Sequence, residues 1–142
     1  EKTGFEETRE FQIIYNSIVG GRYQVVEYLG AAAFSKAIRC YDLHTNEEVC
    51  MKIIENNKDY FDQSIDEIKL LRYIKSNCDD CDSKNILRMI DYFYHKEHLF
   101  IVTELLKDNL YEFYKYNREQ EESLYFTIGR LQKVTKQILT AL

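Results

Sequence analysis

Residues 48–76 read EVCMKIIENNKDYFDQSIDEIKLLRYIKS, and the spacing of their apolar residues changes partway along. EVCMKII, Glu48 to Ile54, is short and rich in apolar residues, which predicts a strand. In DQSIDEIKLLRYIKS, Ile65, Ile68, Leu71 and Ile74, with Leu70 alongside, recur at helical spacing and make one stripe. Asp62 or Ser64 is the candidate N-cap, and acidic Asp66 and Glu67 follow in the first turns. Lys52 stands inside the strand between Met51 and Ile53, and two readings of it are open. Period-2 alternation turns it away from its apolar neighbours toward solvent. If it faces the interior, it needs a negative partner or a ligand anion, because an unpaired buried ammonium is costly. The helix offers Glu67, next to Ile68 on the core stripe. Glu67 is equally readable as one more solvated helix residue.

Working outward, YQVVEYL from Tyr23 to Leu29 and KAIRCYDL from Lys36 to Leu43 read as two more strands. His44-Thr45-Asn46 supplies a tight turn before Glu48. Three short strands with short connections predict an antiparallel meander. Upstream, Phe11, Ile13, Ile14 and Tyr15 form a candidate short strand, and Gly20-Gly21 breaks the chain before the strand that starts at Tyr23. Downstream, SNCDDCDSKN at 76–85 is a polar loop. Strands return at Ile86–Tyr94 and Leu99–Glu104, joined by His95-Lys96-Glu97-His98. Asn109–Tyr116 predicts a short helix. Ile128, Leu131, Val134, Ile138 and Leu142 predict a last helix still running at Leu142, as expected of a chain cut before its domain ends.

The chain has 142 residues, 45% hydrophobic and 30% charged, enough for one core and too apolar for disorder. With 24 acidic and 19 basic residues the net charge is -5, so electrostatics give no reason to expect nucleic acid or an anionic membrane as partner. No apolar run reaches the ~20 residues of a membrane span, and the opening EKTGFEETRE does not read as a signal peptide. Four unevenly spaced cysteines predict a reduced, intracellular compartment, cytoplasm or nucleus, rather than a disulfide framework. Cys78-Asp79-Asp80-Cys81 has metal-ligand spacing, but a structural zinc site needs four ligands. Cys40 and Cys50 fall on strands, and His95 and His98 on a turn, so no metal site is expected. Glu119–Glu122, EQEE, reads as solvated loop.

Leu29-Gly30-Ala31-Ala32-Ala33-Phe34-Ser35 joins the first two long strands. Small residues there let a hairpin backbone approach a polyphosphate, although one glycine among alanines is also an ordinary turn. The order of features is more specific than any one of them. Strand, small-residue loop, strand, strand with Lys52, helix with Glu67, two strands, then Glu104-Leu105-Leu106 leading into a helix resembles the N-terminal lobe of a eukaryotic protein kinase. Within that superfamily, GRYQVVEYLG, DEIKLL, DYFYHKEHLFIVTELL, NLYEFYK and KQILTAL are most similar to the dual-specificity tyrosine-regulated (DYRK) kinases of the CMGC group, near their plant and protist members.

The resemblance implies an α+β fold: a five-stranded antiparallel sheet with one packed helix, then a hinge and the first helices of a C-terminal lobe. It divides the chain into an extension at 1–22, the N-terminal lobe at 23–104, and the hinge with the start of the next lobe at 105–142. Leu29 and Gly30 open the phosphate-covering loop G-x-G-x-x-G-x-V. Ala32 and Ser35 stand at its second and third glycines, Phe34 at its tip, and Ala37 at the valine that packs on adenine. Val49-Cys50-Met51-Lys52 matches V-A-I-K, which makes Lys52 the contact to the α/β-phosphates and Glu67 its helix partner. Cys50 replaces an alanine of the adenine pocket, a gain in volume that Ala37 for valine offsets. Thr103 matches the gatekeeper, Glu104 and Leu106 the hinge positions that bond adenine, and Asn109 the residue that reaches the ribose.

The implied activity is transfer of the γ-phosphate of ATP, as its Mg²⁺ complex, to Ser/Thr of protein substrates, with Tyr autophosphorylation. The loop H-R-D and the metal site D-F-G are expected beyond Leu142, so both the catalytic base and the Mg²⁺ ligands lie outside these residues. The 142 residues alone are therefore expected to be inactive. Two other classes stay open: a pseudokinase-type module that binds nucleotide or a partner without transfer, and an unrelated α+β binding domain.

Overall fold

A computed structural model describes residues 10–78, 80–119 and 125–142. Residues 1–9 of the opening segment, Asp79 of the Cys78–Cys81 stretch and residues 120–122 of the EQEE stretch lie outside the described residues. Cα packing divides the chain into two units, Glu1–Asp79 with Arg88–Leu105, and Asp80–Leu87 with Leu106–Leu142.

The first unit is built on an antiparallel sheet. Its strands are β1 (Ile18–Val19), β2 (Tyr23–Ala32), β3 (Ser35–Asp42), β4 (Glu47–Ile54), β5 (Met89–His95) and β6 (His98–Glu104), in the order β1-β2-β3-β4-β6-β5. The five long strands are those the sequence predicts, and β1 adds a two-residue sixth at the edge. The predicted strand at 11–15 does not form. Gly20 and Gly21, at φ 59° and 71°, reverse the chain so that Ile18 and Val19 pair with Gln24 and Tyr23. Phe11 and Ile13 instead pack on the core as side chains.

Alternation along the strands separates two apolar clusters. Val49, Met51 and Ile53 of β4 join Val25, Ile38, Cys40, Phe100 and Val102 in one. Ile54 of β4 joins Met89, Leu99, Ile101 and Ile68 in the other, on the face covered by helix α1 (Lys58–Asn77).

Helix α1 begins earlier than its aliphatic stripe. Asn57, rather than Asp62 or Ser64, is the N-cap, and its side-chain oxygen accepts from the Asp59 N–H at 2.9 Å. The additional first turn carries Tyr60 and Phe61, which pack beside Ile65 and Leu71 on the second cluster. Leu70 lies off the stripe and is exposed. Strand β5 starts at Met89 rather than Ile86, after Asn85 at φ 57° and the 81–86 turn closed by Ile86 N–H to Cys81 O.

In the second unit α2 spans Leu110–Glu119 and α3 spans Ile128–Ala141. Helix α2 therefore continues past Tyr116 and takes in Glu119. Thr127 caps α3 through its hydroxyl. Phe113 meets Tyr125 edge-on at 4.6 Å, and the Arg130 guanidinium lies 4.1 Å from the Tyr125 ring centroid. Neither helix buries a residue. Among the described residues, no helix is long and apolar enough to cross a membrane.

Candidate functional site

The two readings of Lys52 turn out to be compatible. Alternation does turn it away from Met51 and Ile53, and the face it enters is the one that α1 covers. Its Nζ donates to Glu67 Oε2 at 2.8 Å and reaches Oε1 at 3.1 Å. The two side chains remain 28% and 38% exposed, so the pair is open to water and to a ligand from one side. Strand register places Ala37 opposite Lys52, and Thr103 opposite Cys50. Directly paired residues share a face, so Ala37, Cys50, Lys52 and Thr103 stand together. Burial raises the Cys50 thiol pKa, against a smaller lowering by its hydrogen bond with Thr103. The Thr103 hydroxyl also donates to the Glu104 carbonyl at 3.2 Å.

The small-residue segment is more ordered than a loop. The β2–β3 ladder runs through Gly30–Ala37 and Ala31–Lys36 to Ala32–Ser35, leaving Ala33 and Phe34 as the turn. Ser35 is buried, and Leu29 is exposed in the interval between the Tyr28 and Gly30 pairings. Phe34 at the tip lies over Lys52, with Nζ 5.4 Å from the ring centroid. Glu104 closes β6 and is tied to Arg88: its N–H donates to the Arg88 carbonyl at 3.1 Å, and its Oε1 accepts the Arg88 N–H at 2.8 Å.

Leu106 and Asn109 belong to the second unit. Leu106 is exposed. Asn109 Oδ1 accepts the Glu112 N–H at 2.8 Å and so caps α2. Among the described residues, no group of three or more His, Cys, Asp or Glu side chains is placed to hold a metal ion.

Two arrangements have no sequence signal. One is the stack of Phe34 on Tyr60, since Tyr60 precedes the periodic stripe. The other lies at the far end of β2 and β3, where Arg22 grips fully buried Asp42 with a bidentate pair at 2.8 and 2.6 Å. Asp91 accepts from the Tyr23 hydroxyl at 3.0 Å and lies 3.5 Å from the same guanidinium. Arg22 holds the Asp42 carboxyl well below the usual range, and burial raises the Tyr23 phenol above its own.

Comparison with known proteins adds the family to this geometry. The protein kinase domain family matches residues 23–142, and the chain belongs to that family. Among characterised relatives it is 34% identical over 133 residues to the probable serine/threonine-protein kinase dyrk2 of Dictyostelium discoideum, covering 94% of this chain and 14% of that protein. It is 34% identical to the dual specificity protein kinase YAK1 of Saccharomyces cerevisiae, over 98% of this chain and 17% of that one. With the human dual specificity tyrosine-phosphorylation-regulated kinase 4 the identity is 32%, over 99% of this chain and 26% of the relative. The chain thus spans about one seventh to one quarter of the length of these DYRK-family relatives. A crystal structure of a kinase domain superposes with a TM-score of 0.81 over 96% of this chain and 38% of that one; at 22% identity it speaks for the fold alone.

Proposed function

We propose that this chain is the ATP-binding portion of a protein kinase that transfers the ATP γ-phosphate to Ser/Thr of protein substrates, with Tyr autophosphorylation. The observation that carries the reading is the Lys52–Glu67 pair, joined at 2.8 Å between β4 and α1 and open to solvent on one side. Glu67 holds the ammonium in a fixed place while leaving it donor capacity for the α/β-phosphate oxygens. A charge positioned in advance for an anion costs little reorganisation when the anion arrives. Leu29, Gly30, Ala32, Phe34 and Ser35 cover the phosphates. Ala37 and Cys50 bound the adenine, Thr103 walls its inner side, Glu104 and Leu106 bond its edge through the backbone, and Asn109 reaches the ribose.

In this reading residues 1–22 are an extension, 23–104 the N-terminal lobe, and 105–142 the hinge with the start of the next lobe. Mg²⁺, when bound with ATP, neutralises charge across the β- and γ-phosphates. The described residues do not offer it a ligand set, so no step here runs through it. The free thiols of Cys40 and Cys50 suit an intracellular setting, cytoplasm or nucleus, and the net charge of -5 suits neither nucleic acid nor an anionic membrane as partner.

Lys52→Met tests the reading in the intact protein. Phosphate transfer to a protein substrate is expected to fall roughly a hundredfold or more while the melting temperature is kept. Undiminished transfer by Lys52→Met would remove the assignment of this lysine.

A further inference from the structure

The hairpin tip above the Lys52–Glu67 pair is held by three contacts. The Phe34 carbonyl accepts the Glu55 N–H at 3.1 Å, just past the end of β4. The Phe34 ring stacks on Tyr60 in the first turn of α1, with centroids 5.5 Å apart and planes 30° from parallel. The same ring lies 5.4 Å from the Lys52 ammonium. The tip is therefore tied to both elements that carry the ion pair.

The backbone beneath it is already committed. Ala32 and Ser35 pair across the hairpin, and Ser35 is only 4% exposed, so glycine-like freedom is missing at both positions. Tyr60 is half-buried beside the cluster of Ile54, Ile68 and Leu99, which makes it a firm anchor for a two-residue turn.

We propose that the Phe34–Tyr60 stack is a latch that keeps this hairpin closed over Lys52, with Tyr60 as a positioning residue for the phosphate end of the nucleotide. The inference rests on the ATP-binding reading. A latched tip loses little further conformational freedom when the phosphates arrive, so affinity is gained by preorganisation. The ring shields one side of the ammonium from water, Glu67 occupies another, and the remaining donor capacity is left for phosphate oxygen. The latch bears on phosphate and leaves the nucleoside end untouched.

The test is calorimetric titration of the intact protein with the non-hydrolysable triphosphate AMP-PNP and, separately, with adenosine. Tyr60→Ala is expected to raise the AMP-PNP Kd roughly two- to tenfold, the range an aromatic pair supports, and to leave the adenosine Kd unchanged. Retained adenosine binding also reports that the variant is folded. Tyr60→Phe keeps the ring and is expected to keep wild-type values for both ligands. Phe34→Ala should reproduce the Tyr60→Ala loss, and the double variant should lose no more than either, because both remove one contact. An unchanged or tighter AMP-PNP Kd in Tyr60→Ala overturns the latch, and tightening would mean that the ring obstructs phosphate. Equal losses for adenosine, or additive losses in the double variant, overturn it as well. Wild-type protein that binds neither ligand, or Lys52→Met with unchanged AMP-PNP affinity, overturns the ATP-binding reading itself.

Discussion

Asp42 is the most consequential single residue outside the candidate site. It is fully buried, and it accepts two bonds from Arg22 as well as the His44 N–H at 2.9 Å. Its carboxyl is held below the ordinary value of 3.8, chiefly by the bond from Arg22. A carboxylate whose folded pKa is depressed contributes stability that is complete above its unfolded pKa and is lost as pH falls through the folded one. The Asp42 contribution should therefore be intact near neutrality and shrink progressively below about pH 4. Asp42→Ala leaves a guanidinium that is 26% exposed without this partner, and a loss of about 3 kcal/mol is expected, the low end for a broken buried pair. Urea melts of wild type and variant at pH 7 and pH 3 check this: the gap should narrow at pH 3, and a gap that widened would contradict it. Nothing in the sequence marks Arg22, Asp42 and Asp91 as neighbours, because they come from three places in the chain that meet only after the sheet has formed. Lys52 and Glu67 are legible for the opposite reason. A cation inside an apolar strand and an acid beside a helical stripe are each anomalous locally, before any tertiary contact is known.

At the scale of elements, helix α1 shows what periodicity reads and what it passes over. The stripe Ile65, Ile68, Leu71 identifies the buried face, and Ile68 is the residue on it that is fully covered, at 3% exposure. The first turn escapes the pattern because Lys58 and Asp59 are charged and the aromatic pair Tyr60-Phe61 does not continue the aliphatic spacing. The hairpin of β2 and β3 reads as a loop for a related reason: four consecutive small residues carry no period, and their order comes from the ladder alone. Ile68→Ala removes the one α1 side chain that belongs to the fully buried part of the cluster with Ile54, Met89, Leu99 and Ile101. Its cost should be about 2–5 kcal/mol, transfer plus cavity. Glu67 is the adjacent residue of the helix, so the same change should also loosen the ion pair with Lys52. Chemical denaturation measures the first effect, and a weaker AMP-PNP affinity in the still-folded variant would report the second. A cost under about 1 kcal/mol would mean that α1 is not seated on the sheet through Ile68.

Across the whole molecule, stability is unevenly shared between the two units. Among the described residues, every buried apolar residue lies between Val19 and Val102, within the unit built on the sheet. Helices α2 and α3 bury none; Ile128 is 77% exposed and Leu139 67%. Helices of 10 and 14 residues lie near the ~12–15 residues at which isolated helices are marginal in water, so what holds them must come from packing. For α2 that packing is the edge-on contact of Phe113 with Tyr125, plus the Asn109 cap; for α3 it is the Thr127 cap and Arg130 over Tyr125. The strands, by contrast, place Ile38, Met51, Phe100 and Val102 at complete burial, so their amides exchange only when the sheet opens. Opening free energies across one protein range from near zero to the global value. Amide hydrogen exchange on the 142-residue chain should accordingly show β3, β4 and β6 protected at least ~100-fold more strongly than α2 and α3. Exchange in α3 as slow as in β4 would require an apolar partner for its exposed face, and would overturn the view that the sheet alone carries the fold of these residues.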